Sequence, residues 1–146
     1  QYLLVYDHWK TGDMLMDIEN EVDRLGAAAH AMEDVAIFAK SAGCLVALRA
    51  INESRVQPRV CVFVGFPGHF AKDIGIDVKE LLTSLKVPIL FIQQQRDPAY
   101  SAGDLMILLK QVKVTSCKVL RIEGNSHNYP DVGQLGRYTT AFLKTN

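Results

Sequence analysis

Cysteine is scarce in this chain: only Cys44, Cys61 and Cys117 occur, each in an apolar context. An odd number without regular spacing argues against a disulfide framework and for reduced, buried thiols, as in a cytoplasmic protein. No Cys/His cluster has the spacing of a zinc site, so neither a metal nor another cofactor is expected. Charge of either sign is not in excess: 16 Lys and Arg balance 16 Asp and Glu. Without a basic stripe or a like-charge block, nucleic acid and anionic membrane surfaces are not expected as partners. No apolar run approaches the ~18 residues a membrane span needs. No secretory signal is visible, and the opening on Gln1 rather than Met reads as a processed or excised piece. Repeats, low-complexity tracts and linkers are missing too, so residues 1–146 read as a single domain.

What the chain does hold is a regular alternation. Tyr2–Tyr6 reads as a short apolar strand closed by the polar loop Asp7 to Asp13. Leu15, Ile18, Val22, Leu25, Ala29 and Met32 then recur at helical steps, with Glu19, Glu21, Asp23 and Arg24 largely on the other face. Strands are expected at Val35–Phe38, Val60–Val64, Val87–Ile92 and Lys118–Ile122, with Pro88 near a strand start, where it costs least. Helices are expected over 42–53, Val78–Leu85, Leu105–Val112 and Val132–Leu143. Strands that alternate with helices and are too apolar to have a wet face form a parallel sheet covered by helices. The expectation is an α/β fold with a mostly parallel sheet of about five strands, and in such sheets the loops at the carboxyl ends gather the ligand site.

Three residues fall in loops of that kind. Ser41 lies in Ala39-Lys40-Ser41-Ala42-Gly43, between an apolar strand and the small-residue helix Cys44-Leu45-Val46-Ala47-Leu48. A strand, tight turn and helix in that order place a serine as a nucleophile elbow does, and the residues two before and two after must be small. The N–H of Ala42 at the helix start would face a developing oxyanion. The plainer reading of Ser41 is a helix N-cap. Asp97 follows the strand before it through Gln93-Gln94-Gln95-Arg96 and could orient a base, or simply form an Asp-Pro turn or pair with Arg96. His127, in Gly124-Asn125-Ser126-His127-Asn128, could be that base, since histidine titrates near neutrality. His69 is its rival; His8 and His30 carry less weight. A serine hydroxyl needs a base and the base needs an orienting group, and the three occur in the order Ser, Asp, His.

With those residues in view, the chain resembles the α/β-hydrolase family from Tyr2 to its end. Ala39–Gly43 resembles the elbow, Pro88–Ile92 through Arg96-Asp97-Pro98 the acid strand and loop, and Gly124–His127 the histidine loop. The resemblance implies Ser41 as nucleophile, Asp97 as acid and His127 as base, in a serine hydrolase acting on a small acyl substrate through an acyl-enzyme. The lysine before the serine and the Gln-x-x-Arg-Asp-Pro segment from Gln93 to Pro98 are similar to small capless members, and the short span from Gly65 to Lys86, where caps insert, implies an open site. Ala39 stands where the family has glycine. Family strands that precede the one resembled by Tyr2–Tyr6, and the loop giving a second oxyanion N–H, have no counterpart, so a reduced or truncated fold is implied. Either residues precede Gln1 or the first strand pairs directly with the elbow strand, with the Asp7-His8-Trp9 loop the only substitute donor. Phe66, Phe70, Tyr100 and Tyr129 are expected to line an apolar acyl pocket. A non-catalytic interaction or small-ligand domain is the alternative; a nucleotide-binding domain is disfavoured because no glycine-rich phosphate loop follows a strand.

Overall fold

Four runs rich in β-branched and aromatic residues form one sheet in the computed structural model, which describes residues 3–6 and 16–146. Strands β1 (Ala36–Lys40), β2 (Val60–Val64), β3 (Ile89–Gln94) and β4 (Cys117–Ile122) lie side by side in chain order, all parallel. β2 and β3 are buried at every position, which only a sheet covered on both faces allows.

Helices supply that cover. On one face lie α1 (Ile18–His30), α2 (Ala42–Asn52), α3 (Gly68–Asp73), α4 (Val78–Thr83) and α5 (Ala102–Val112). Val22, Leu45, Leu48, Leu82 and Leu105 pack there with Phe63 and Phe91, whose rings meet edge to face at 5.5 Å. On the other face α6 (Val132–Leu143) sets Leu135 and Phe142 over Val60, Val62, Val64, Leu90 and Ile92. β1 lies at the margin of that second layer and leaves Phe38 53% exposed. Four helices begin with a side-chain cap, from Asp17, Asp77, Ser101 and Asp131, each accepting a hydrogen bond from an N–H of the first turn. α2, which follows Ser41, has none.

The α/β class and the parallel sheet match expectation, with differences at the strand ends. β1 runs on to Lys40 because it stays in register with β2 as far as Lys40 opposite Val64. β3 continues through Gln93 and Gln94, paired with Arg121 and Ile122, where two glutamines read as the start of a loop. The stretch Gly68–Asp73 is a short helix, hidden in the sequence by Pro67 and Gly68. The sheet has four strands among the described residues, not five. Tyr2 lies outside those residues, and Leu3–Tyr6 forms no strand. Instead the Arg24 guanidinium donates to the Val5 carbonyl at 2.9 Å, and Leu3 is 81% exposed. The Asp7–Asp13 stretch, with His8 and Trp9, also lies outside the described residues.

Candidate active site

The parallel register brings the ends of β1, β3 and β4 to one edge of the sheet, and the three candidate residues with them. Ser41 takes φ 54° and ψ −130°, a conformation an L-residue adopts only under constraint. Its N–H donates to the Val64 carbonyl at 3.0 Å, holding the turn against the end of β2. Ala39 and Gly43 give the turn its room. A Cβ on Gly43 would strike the hydroxyl of Tyr6, a group whose burial pushes it up to about 12. Ala42 opens α2, with its N–H at the helix N-terminus.

The plain N-cap reading of Ser41 does not hold, because its side chain makes no bond to the helix. Its Oγ lies 2.8 Å from His127 Nε2. The other ring nitrogen, Nδ1, is 3.0 Å from both carboxylate oxygens of Asp97. A carboxylate can only accept, so Nδ1 carries the proton and Nε2 is left to accept from the serine hydroxyl. Ser41, His127 and Asp97 thus form one hydrogen-bonded line.

Asp97 is 3% exposed, and a buried carboxylate must be saturated with donors. Oδ1 accepts from the Ala99 N–H at 2.8 Å, so the Asp-Pro turn expected of this residue is present as well. Oδ2 accepts from the Tyr129 hydroxyl at 2.6 Å and from Gln93 Nε2 at 3.3 Å. These donors, with His127, occupy the carboxylate in place of Arg96. Burial, and then the Asp97 carboxylate it donates to, push the Tyr129 hydroxyl well above the usual phenol range.

The remaining candidates scatter. His69 packs edge-on against Tyr100 at 5.2 Å, and its backbone N–H donates to the Ala99 carbonyl; it joins neither Ser41 nor Asp97. His30 is exposed at the end of α1. Phe66, expected in an acyl pocket, is instead fully buried against Phe91 and Tyr100. Tyr129 likewise gives its hydroxyl to Asp97 in place of lining a pocket. Phe70 is half-buried against the core. Tyr100 lines an open groove of about 770 Å³ with His69, Ile76 and Leu108 but also Lys72, Asp77 and Asp104, and Ser41, Ala42 and His127 are not among its lining residues. Cys44, three residues from Ser41, is no rival nucleophile: burial pushes its thiol far up, and its sulfur faces the Ala39 and Val64 carbonyls. Among the described residues no cluster of His, Cys, Asp and Glu has the make-up of a metal site, and no helix is long and apolar enough to cross a membrane.

No family model and no curated protein matches this sequence significantly. Solved structures do match in three dimensions. A CIB-like hydrolase from Thermoplasma acidophilum superposes with a TM-score of 0.66 at 14% identity, over 89% of this chain and 61% of that one. A YdeN-like hydrolase from Pectobacterium atrosepticum gives 0.66 at 17%, over 85% and 68%. A monoacylglycerol lipase from Paleococcus ferrophilus gives 0.66 at 12%, over 86% and 74%. An uncharacterized Bacillus cereus protein gives 0.68 at 18%, and there the chain spans 44% of the matched length. Identities this low speak to architecture alone, and on architecture the answer is plain: this chain has an α/β-hydrolase fold, with a four-stranded parallel sheet among the described residues.

Proposed function

We propose that the chain is a serine hydrolase that cleaves an ester, thioester or related acyl bond through an acyl-enzyme on Ser41. One observation carries this reading: Ser41 is held at a positive φ, its side chain does not cap its helix, and it stands in line with His127 and Asp97 at 2.8 and 3.0 Å. His127 Nε2 takes the Ser41 proton as Oγ bonds to the acyl carbon, and the imidazolium is held by Asp97. As the tetrahedral intermediate collapses, the bond to the leaving alcohol or thiol breaks and Nε2 returns the proton to it. A water, deprotonated by the same nitrogen, then releases the acid and restores Ser41. The N–H of Ala42, on the helix N-terminus, donates to the oxyanion in both halves.

The fold neighbours support the class, since they include proteins described as an esterase and a monoacylglycerol lipase. Three free cysteines, two of them fully buried, accord with a reducing, cytoplasmic setting. Hydrolysis of p-nitrophenyl esters of graded chain length tests the proposal. An initial burst of p-nitrophenol, lost in Ser41→Ala, is expected; turnover that survives this substitution refutes it.

A further inference from the structure

We infer that Gln94 and Tyr129 are positioning residues for the His127–Asp97 pair, a role that rests on the acyl-enzyme reading above. Gln93 and Gln94 end β3 on opposite faces of the sheet, and both are buried, at 0% and 5% exposure. A buried carboxamide is costly unless its atoms are partnered, so where these bonds go is informative.

The Gln94 side chain grips the histidine loop on both sides of His127. Its Oε1 accepts from the Ser126 N–H at 3.0 Å, and its Nε2 donates to the Asn128 carbonyl at 2.7 Å. The backbone of the same residue serves the acid: the Gln94 N–H donates to the Tyr129 hydroxyl at 3.1 Å, which donates on to Asp97 Oδ2 at 2.6 Å. One position at the end of β3 therefore sets both the loop that carries the imidazole and the carboxylate that orients it.

Two glycines make room for this frame. Gly124, at φ 145°, lies where a Cβ would overlap the Gln94 carboxamide. Gly65, at φ 62°, lies where a Cβ would come within 2.8 Å of Tyr129 Cε2 and 3.1 Å of His127 Cε1. Lys40 closes the outer side, with its ammonium 5.9 Å from the Tyr129 ring centroid and donating to the His127 carbonyl at 3.4 Å.

Tyr129→Phe keeps the ring and removes only the hydroxyl. The Asp97 carboxylate then has one donor fewer and its charge bears more heavily on the imidazolium. Reaction with a fluorophosphonate, followed from pH 5 to pH 9 and separated into maximal rate and half-saturating concentration, reads the effect, with proton NMR of the His127 Nδ1–H resonance alongside. In Tyr129→Phe the maximal rate is expected to fall about five- to tenfold, with half-saturation unchanged within about twofold. The acid limb of the rate profile moves to higher pH, and the N–H resonance shifts. In Gln94→Glu, which keeps an acceptor for Ser126 but sets an anion against the Asn128 carbonyl, the resonance broadens and the maximal rate falls by at least as much. If both variants react as wild type, with the acid limb and the resonance unmoved, the inference is overturned; should Gln94→Glu not fold, Tyr129→Phe decides alone. A wild-type protein that takes no label contradicts the acyl-enzyme reading, while the resonance still decides whether Tyr129 and Gln94 set the imidazole.

Discussion

Replacing Asp97 with asparagine removes one charge and leaves the shape unchanged, and four donors make its outcome calculable. Ala99 N–H meets Oδ1, the Tyr129 hydroxyl and Gln93 Nε2 meet Oδ2, and His127 Nδ1–H lies 3.0 Å from both. An asparagine offers one oxygen and one NH2. With the NH2 at the Oδ2 position it faces the Gln93 amide, which cannot flip freely because its Oε1 accepts from the Phe66 N–H at 2.7 Å. Turned the other way, the NH2 faces the Ala99 N–H. Either orientation sets the NH2 against at least one buried donor, and each donor left unsatisfied costs about 1–3 kcal/mol. For a chain of this size that lowers Tm by roughly 2–4 °C per kcal/mol. The effect on chemistry is larger: an NH2 beside Nδ1 favours the tautomer with its proton on Nε2, which cannot accept from Ser41. The labelling rate should fall on the order of 10⁴-fold, while the urea midpoint falls only by the orphaned bond. Labelling of Asp97→Asn within tenfold of wild type would refute the idea that Asp97 fixes the tautomer.

Three further outcomes follow from the same geometry. Ser41→Gly should be more stable than Ser41→Ala by about 1 kcal/mol in urea unfolding, because glycine alone accepts φ 54° without strain; equal stabilities contradict a strained elbow. Gly65→Ala should cost about 2 kcal/mol and slow labelling, since its Cβ meets Tyr129 and His127 at φ 62°; an unchanged labelling rate shows that the histidine loop tolerates the intrusion. Burial pushes the Cys61 thiol from 9.0 up to about 12. The unfolded thiol therefore ionises first, so the stability this group contributes is full below pH 9 and is lost as pH rises toward 12, by about 1.4 kcal/mol per pH unit. Cys61→Ala should flatten the fall of the urea midpoint between pH 9 and pH 11; an equally steep fall removes Cys61 from the alkaline transition.

The site was legible where its chemistry coincides with strand ends. Ser41, Asp97 and His127 each follow an apolar run, and a parallel sheet delivers such loops to one edge whatever lies between them. The supporting frame was not legible, for a physical reason. Gln93 and Gln94 read as loop because their side chains are polar, yet those same carboxamides bond buried main chain and so let β3 run on to Gln94. Phe66 and Tyr129 read as loop aromatics near a pocket; which way an aromatic turns is set by three-dimensional packing, here against Phe91 and onto Asp97. The expected first strand failed for a related reason, since apolar composition marks a segment for burial without naming its partner. The Tyr6 hydroxyl comes to lie where a Cβ on the elbow glycine, Gly43, would sit.

The central claim is that Ser41 is the group His127 activates. Wild-type protein treated with a fluorophosphonate at neutral pH, digested and mapped by mass spectrometry, tests it most directly. A single adduct on the peptide containing Ser41, lost in Ser41→Ala and strongly slowed in His127→Ala, is the predicted result. An adduct elsewhere, or none on the folded wild-type chain, contradicts it.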